Sequence, residues 1–291
     1  MNQNPDYSYP LVDSILLPSD FSAGSLTAFH HALKAALVAK SRLTILHVSP
    51  NAAAGWTDFP GVRDTLQRWG LLPPGSPKNA VPKLGIDVHK VVARDTNPVK
   101  SVLRYLEERP ADLIVLATHA HEGRASWLRQ SAAEPIARQS GQMTLFIPGG
   151  VAGFVSANEG KVSLSKILIP IADKPRPQPA LAAAARLAVR LQRESGTFLL
   201  LHVGEAGAMP AVQCPEVPGW QWKNITRAGD VIDGIVDTAA KEAVDLIVMC
   251  TDGRSGFLDA LRGSHSERVL RNAKCPLLTV PEGSLASGAL E

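Results

Sequence analysis

Asp112-Leu113-Ile114-Val115 returns 133 positions later as Asp245-Leu246-Ile247-Val248. In each run three aliphatic residues follow an aspartate, the length and composition of a short buried strand. The match extends without a gap over 112–148 and 245–281, and thirteen of the 37 pairs are identical. Thr118 meets Thr251, Gly123 meets Gly256, Ser131 meets Ser264 and Glu134 meets Glu267. Upstream, Ile15-Leu16-Leu17-Pro18 matches Ile167-Leu168-Ile169-Pro170, and Leu46-His47-Val48 matches Leu201-His202-Val203. There the offset is 152 to 155, so the second copy is shorter in its middle. A period this long denotes two copies of a whole domain rather than a solenoid of short units. The first copy's longer middle, 51–81, is rich in Pro and Gly, and the boundary is expected in the Gly- and Ser-containing stretch 149–164.

Each copy reads strand, helix, strand, loop, strand, helix, strand, helix, strand. In copy two, 167–170, 198–203, 246–250 and 277–280 are apolar runs of strand length. Leu181, Ala184, Ala185, Ala188 and Leu191 recur at helical spacing, as do Ile232, Ile235, Val236 and Ala239. A further helix is expected over 266–272. Strands alternating with helices imply right-handed crossovers and a parallel sheet covered on both faces. The fold class is therefore α/β, two tandem doubly wound domains spanning 10–150 and 163–283. In such sheets a ligand sits beyond the carboxyl ends of the strands, where the strand order reverses.

Composition narrows the function. Thirty basic against 27 acidic residues leave a net charge of +3, with 15 against 12 in residues 1–150 and 15 against 15 in the rest. Neither half is strongly basic and no Lys/Arg run occurs, so nucleic acid is not the expected partner. At 45% hydrophobic and 20% charged, the chain has the make-up of a globular protein. No apolar stretch approaches the ~18 residues of a membrane span, and Met1 to Pro10 does not read as a signal peptide. The expected location is cytoplasmic. Cys214, Cys250 and Cys275 are odd in number and form no C-x-x-C pair, so neither a disulfide framework nor a zinc finger follows.

The stretch after the fourth strand of copy two carries the chemistry. Gly253 and Gly263 would let backbone N–H groups approach an anion, and Gly263-Ser264 directly precedes a helix, whose first N–H groups and dipole favour phosphate. A structural reading stands beside it: Ser264-His265-Ser266-Glu267 is a capping box, which starts a helix without any ligand. Copy one has the same box in Ser131-Ala132-Ala133-Glu134, preceded by Gln130 instead of glycine.

Together these residues resemble a tandem universal stress protein. Ile15-Leu16-Leu17-Pro18-Ser19-Asp20-Phe21-Ser22 is similar to that family's opening strand and turn, and both copies carry the His-Val strand end and the Asp-Leu-Ile-Val strand. Copy two closes with Gly263-Ser264, Glu267-Arg268-Val269-Leu270-Arg271 and Lys274-Cys275-Pro276-Leu277-Leu278, as the family does. The resemblance covers 10–148 and 164–281. It implies a five-stranded sheet of order 3-2-1-4-5 in each copy and an antiparallel pairing of the two final strands, 145–148 and 278–281, within the chain. It also implies a nucleotide motif, G-x2-G-x9-G-[S/T], which falls on Cys250, Gly253, Gly263 and Ser264 in copy two, and on Ala117, Ala120, Gln130 and Ser131 in copy one. The adenine and ribose contacts implied are Asp20 and Val48 in copy one; copy two has Val203, but Ala172 stands at the aspartate position with Asp173 one residue later. Copy two keeps the phosphate half and is the better candidate. The ligand implied is ATP or AMP, with Mg2+ only alongside ATP, and the assembly implied is a homodimer.

Other candidates have plainer readings. His119, His121 and Glu122 fall in one loop, a thin signal for a metal given the ligand count a site needs, and a solvated loop is the expected reading. His30-His31 is expected on a helix face, and Cys250 as a small residue at a strand end. Trp56, Trp69, Trp220 and Trp222 lie in the variable middles, lining an apolar pocket or covering the sheet edge. No catalytic constellation is evident. The functional expectation is a stress-response protein that binds an adenine nucleotide and regulates or senses, at most a slow ATPase; the alternative is an interaction or apolar-ligand module with degenerate sites.

Overall fold

The apolar runs become strands, and all the strands join one sheet. In the computed structural model, which describes residues 12–50, 55, 57–118, 132–205, 207–251 and 265–283, the first copy runs β1 (Ser14–Pro18), α1 (Ala23–Ala39), β2 (Arg42–Ser49), α2 (Val62–Arg68), β3 (Asp87–Arg94), α3 (Pro98–Glu108), β4 (Leu113–Ala117), α4 (Ala133–Ser140) and β5 (Met143–Ile147). The second runs β6 (Lys166–Pro170), α5 (Gln178–Arg190), β7 (Gly196–Val203), β8 (Trp220–Arg227), α6 (Val231–Lys241), β9 (Leu246–Thr251), α7 (His265–Asn272) and β10 (Leu277–Pro281). The ten strands lie in the order β3-β2-β1-β4-β5-β10-β9-β6-β7-β8, so each copy has the expected order 3-2-1-4-5 and the second is the reverse of the first in space. Pairing is parallel within each copy.

Among the ten named strands one pair is antiparallel, and it joins the copies, with Leu277 opposite Phe146, Leu278 opposite Leu145 and Thr279 opposite Thr144. Every residue of β5 and of β10 is buried. At the seam the Thr279 hydroxyl donates to the Thr144 carbonyl at 3.3 Å. The outer edges left to solvent are β3 and β8, which are polar: Asp87, His89 and Lys90 on one, Gln221 and Lys223 on the other. Charge on an edge strand discourages pairing with another chain.

Alternation along the strands divides the interior into two layers. Ile15, Leu17, Leu43 and Ile45 pack with Phe29 and Leu33 of α1, Leu66 of α2 and Leu181 and Ala184 of α5, in a core that runs through both copies. Leu16, Leu46, Ile114 and Leu116 face the other way, towards Val102 of α3, Ile136 of α4, Ile235 of α6 and Val269 of α7. Helix starts are capped where short polar side chains permit: Ser22 accepts from the Ser25 N–H, Asn97 from Lys100, and Asp230 from Ile232 and Asp233. The serines of the two capping boxes read from the sequence, Ser131 and Ser264, lie outside the described residues. α4 starts with Ala132 as N-cap and no side-chain bond, while Glu134 meets Arg271 at 3.4 Å, and Arg271 also pairs with Glu267 one helical turn away. The two box glutamates share that guanidinium, Glu134 from across the seam and Glu267 from the same helix.

The stretch 149–164 is a docked hairpin rather than a loose tether. Val155 bridges Val162, and the hairpin lies on the middle of copy one. The Ala157 carbonyl accepts from the Trp69 indole and the Arg68 guanidinium, each at 3.1 Å. Gly160, at φ +63°, lies where a side chain would overlap the Trp69 ring. Gly153, at φ +70°, stands in the same relation to His31: a Cβ there would fall 2.3 Å from Nε2. Both positions demand a residue that tolerates positive φ and has no Cβ. His31 is buried and donates Nδ1–H to the Thr27 carbonyl at 2.9 Å, leaving Nε2 to accept from the N–H groups of Phe154 and Val155 at 3.1 and 3.3 Å. The sequence placed His30 and His31 on a helix face; the face is the buried one. On copy two, Trp220 and Trp222 cover the sheet near its edge, stacking on Phe198 with centroids 4.5 and 4.1 Å away.

Burial lowers the pKa of His31 from 6.5 to about 4, and burial followed by the nearby Arg68 charge lowers His30 likewise to about 4. The fold thus favours the neutral imidazoles. Their contribution is fully present above the unfolded pKa of 6.5 and is lost as pH falls towards 4. For His31 the whole effect is about 3 kcal/mol. Urea midpoints measured from pH 7 to pH 4.5 are expected to fall, and His31→Leu to be less stable at pH 7 with a flatter acid limb. An acid limb unchanged by His31→Leu would contradict this assignment.

Candidate functional site

The aspartate that opens each repeated Asp-Leu-Ile-Val run is a clamp. Asp112 Oδ2 accepts from the N–H groups of Asp13 and Ser14, both at 2.8 Å, and from the Ser14 hydroxyl at 3.0 Å. Asp245 Oδ2 does the same for Ser165 and Lys166, at 2.7 and 2.8 Å, and for the Ser165 hydroxyl at 2.9 Å. Each clamp holds the amino-terminal ends of the first and fourth strands together. Beyond it the ladder is short. β1 meets β4 only at Ile15–Leu113 and Leu16–Ile114, and β6 meets β9 only at Ile167–Leu246 and Leu168–Ile247. By contrast β6 stays paired with β7 along its whole length to Pro170–Leu201. The first and fourth strands are therefore pinned at one end and part at the other. A crevice opens at their carboxyl ends, where the strand order reverses.

The repeated histidine fixes the other flank. His47 bonds through Nδ1 to the Ser19 carbonyl at 2.8 Å, and His202 to the Ile171 carbonyl at 3.3 Å, tying the second strand to the turn after the first. In copy one the His47 ring is sandwiched into an aromatic group, stacked on Phe21 at 4.1 Å with Phe59 edge-on. In copy two the ring has no such neighbours among the described residues, and the buried His202 Nε2 finds no hydrogen-bond partner there.

The site residues expected from sequence that lie among the described residues all fall at this end of the sheet. Asp20 follows β1, Val48 lies near the end of β2, and Ala117 ends β4. Asp173 follows β6, Val203 ends β7, and Cys250 is the penultimate residue of β9. Val48 and Val203 are half-buried and pack on the α3/α6 side of the sheet. Cys250 is buried on the opposite side, in the core under α5. Asp20 is committed locally: its Oδ1 accepts from the Ser22 N–H at 3.0 Å and the Ser25 hydroxyl at 2.5 Å, securing the start of α1. Ala172 and Asp173 are exposed, in a turn three residues longer than its counterpart, since α1 starts four residues after Ser19 and α5 seven after Ile171. Gly253, Gly263 and Ser264, and their counterparts Ala120, Gln130 and Ser131, lie outside the described residues, as do His119, His121 and Glu122. The clamping aspartates and the two histidines were absent from the candidate list. Their signal was their recurrence as polar residues in otherwise apolar repeated runs.

Among the described residues no cluster of three or more His, Cys, Asp or Glu side chains could hold a metal, and no helix is long and apolar enough to cross a membrane. Cys214 is exposed, and Cys275 is buried with its thiol pKa pushed up to about 12, first by burial.

The profile of the universal stress protein family matches residues 12–148 and 216–281. A universal stress protein of Methanocaldococcus jannaschii is 52% identical over 46 residues, 16% of this chain and 27% of that protein. One of Methanothermobacter thermautotrophicus is 43% identical over 63 residues, 22% of this chain and 42% of that protein. The chain thus spans less than half the length of either curated relative it matches. Among solved structures, a universal stress protein of Archaeoglobus fulgidus superposes with a TM-score of 0.62 at 15% identity, covering 95% of this chain and 98% of that one. The profile leaves out β6, α5 and β7, although these elements take the same course as β1, α1 and β2.

Removing either clamp removes three hydrogen bonds to one carboxylate and leaves two N–H groups to find water. Asp112→Ala and Asp245→Ala are each expected to cost about 2 kcal/mol by urea unfolding. The double variant is expected to show the sum, because the sites are far apart. Values within about 0.5 kcal/mol of wild type, the range of an ordinary surface change, would show that the clamps do not hold the strands.

Proposed function

The chain belongs to the universal stress protein family, and on that premise we propose that it binds an adenine nucleotide, ATP or AMP, in the crevice of copy two and acts in the cytoplasm as a regulator or sensor. The carrying observation is the short β6–β9 ladder, which ends at Leu168–Ile247 while the strands run on to Pro170 and Thr251. Val203 flanks that opening from one face, and His202 ties the neighbouring turn to β7 through the Ile171 carbonyl. Asp173 is exposed in the turn above, with a carboxylate available for a ribose hydroxyl. Cys250, in place of the first motif glycine, turns its side chain into the core under α5 and so away from the opening.

Continuing from β9, Gly253, Gly263 and Ser264 would present N–H groups and a hydroxyl to the phosphates, ahead of α7. Mg2+ would accompany ATP only as the counter-ion of its phosphates. In copy one, Ala120 and Gln130 stand at the positions of the motif glycines and would bring side chains where the backbone must approach, and Asp20 is already spent on the start of α1. One nucleotide per chain is the reading, with the first crevice structural. A homodimer of four domains completes the proposal. Since β5 and β10 cover each other within the chain, that dimer would use other surfaces.

Calorimetric titration of ATP tests the reading. Wild type and Ser131→Ala are expected to bind alike, and Gly263→Gln to bind at least tenfold more weakly. Equal affinity in wild type and Gly263→Gln would place the ligand elsewhere. Failure of wild type to bind, with no nucleotide released from the purified protein by acid, would overturn the proposal. Light scattering giving the 31.0 kDa of a single chain at micromolar concentration would overturn the dimer.

A further inference from the structure

On the face that carries α1 and α5, above the seam, the two copies enclose a partly open cavity of about 80 Å³. Its floor is built from both copies: Leu113, Met143 and Leu145 from the first and Leu278 from the second. α1 contributes the small side chains Ala35 and Ala39 and α5 contributes Leu187, while Phe154 of the docked hairpin closes the end held by His31. The site therefore exists only in the joined pair and is separate from either crevice.

Two features select a ligand. The first is charge. Among the described residues no acidic side chain lines the cavity, whereas Lys34 of α1 and Arg190 of α5 do. Lys34 makes no hydrogen bond or ion pair with the described residues, and partial burial pulls its pKa down from 10.5. A half-buried ammonium without a counter-ion is relieved by an anion brought to it. The second is size. The cavity is about half the ~150 Å³ that admits a benzene ring to an engineered apolar cavity. A ring does not fit the enclosed part; a linear chain does, with the remainder lying in the furrow between the helices.

We propose that this cavity binds a linear fatty carboxylate, its acyl chain on the apolar floor between the copies and its carboxylate on Lys34, with Arg190 at the mouth. The floor supplies most of the affinity through burial of methylenes, at about 0.8 kcal/mol each, and Lys34 supplies the selection for an acid. The ligand bridges α1 and α5 and so stiffens the joint between the two copies.

Octanoate and 1-octanol titrated calorimetrically into the full chain at pH 7 test this. Octanoate is expected to bind at least tenfold more tightly than octanol. Lys34→Met, which keeps an apolar stem of similar length, is expected to abolish that preference while leaving octanol binding unchanged. Ala35→Leu, which fills the furrow, is expected to weaken both. Absence of octanoate binding at millimolar concentration would overturn the proposal. So would equal affinity for the acid and the alcohol in wild type, which would show that the cation does not read the ligand. A particle of doubled mass that Ala35→Leu returns to a monomer would overturn it too, by showing that the furrow seats a second copy of the chain.

Discussion

A parallel sheet that ends in a wholly buried, largely apolar strand cannot leave that strand at its edge. β5 and β10 each bury every residue, yet each is the last strand of its own copy. Alone, either would present unpaired N–H and C=O groups beside leucine, phenylalanine and valine, the combination that invites aggregation. The two edges satisfy one another antiparallel, with Leu278 on Leu145 at the centre. Much of the architecture follows from that contact. It makes one ten-stranded sheet from two five-stranded ones. It brings α1 beside α5 to form one continuous core, and sets Arg271 between Glu134 and Glu267 on the opposite face. The cavity above the seam is a product of the same joint.

Duplication did not leave equal halves. Copy one carries a long middle with α2 and Trp69, and that middle receives the hairpin that follows β5. Copy two has a shorter middle, and Trp220 and Trp222 stack directly on Phe198. The histidines diverge in the same way. His47 lies against Phe21 and Phe59, while His202 keeps a buried nitrogen without a partner in the described protein. One crevice is packed and locally hydrogen-bonded; the other retains unspent polar groups. That contrast gives the proposed single nucleotide site its physical basis.

The strands and the helix-covered faces were legible because they depend on where apolar residues fall, and short apolar runs mark strands directly, whereas the strand order and the seam were implied only by the resemblance to the family. The repeat also marked the polar clamps, since Asp112 and Asp245 recur inside otherwise apolar runs, although their task of pinning two strands could not be read without knowing which strands adjoin. The Arg271 bridge was illegible because Ser-x-x-Glu specifies a local bond and says nothing of a guanidinium from the other copy reaching Glu134. The docked hairpin was illegible because Gly153 and Gly160 are needed only in the presence of His31 and Trp69, which are remote in the chain. In copy two Ala172 stands where copy one has Asp20, and Pro177 precedes α5 where Ser22 caps α1, while the buried apolar residues that build the strands persist. Fold outlasts site because burial tolerates one aliphatic residue for another, whereas a hydrogen-bonding turn does not.

If the seam is what makes the two copies one body, its amides should open only when the whole molecule does. Native-state hydrogen exchange on the intact chain measures this directly. Amides of Thr144 to Phe146 and Leu277 to Thr279 that are hydrogen-bonded across the seam are expected to exchange at the free energy of global unfolding, alongside those at the centre of β1 and β6. Exchange at the seam several kcal/mol below that level, with the interiors of the two copies still protected, would show two independent domains resting side by side and would contradict the account.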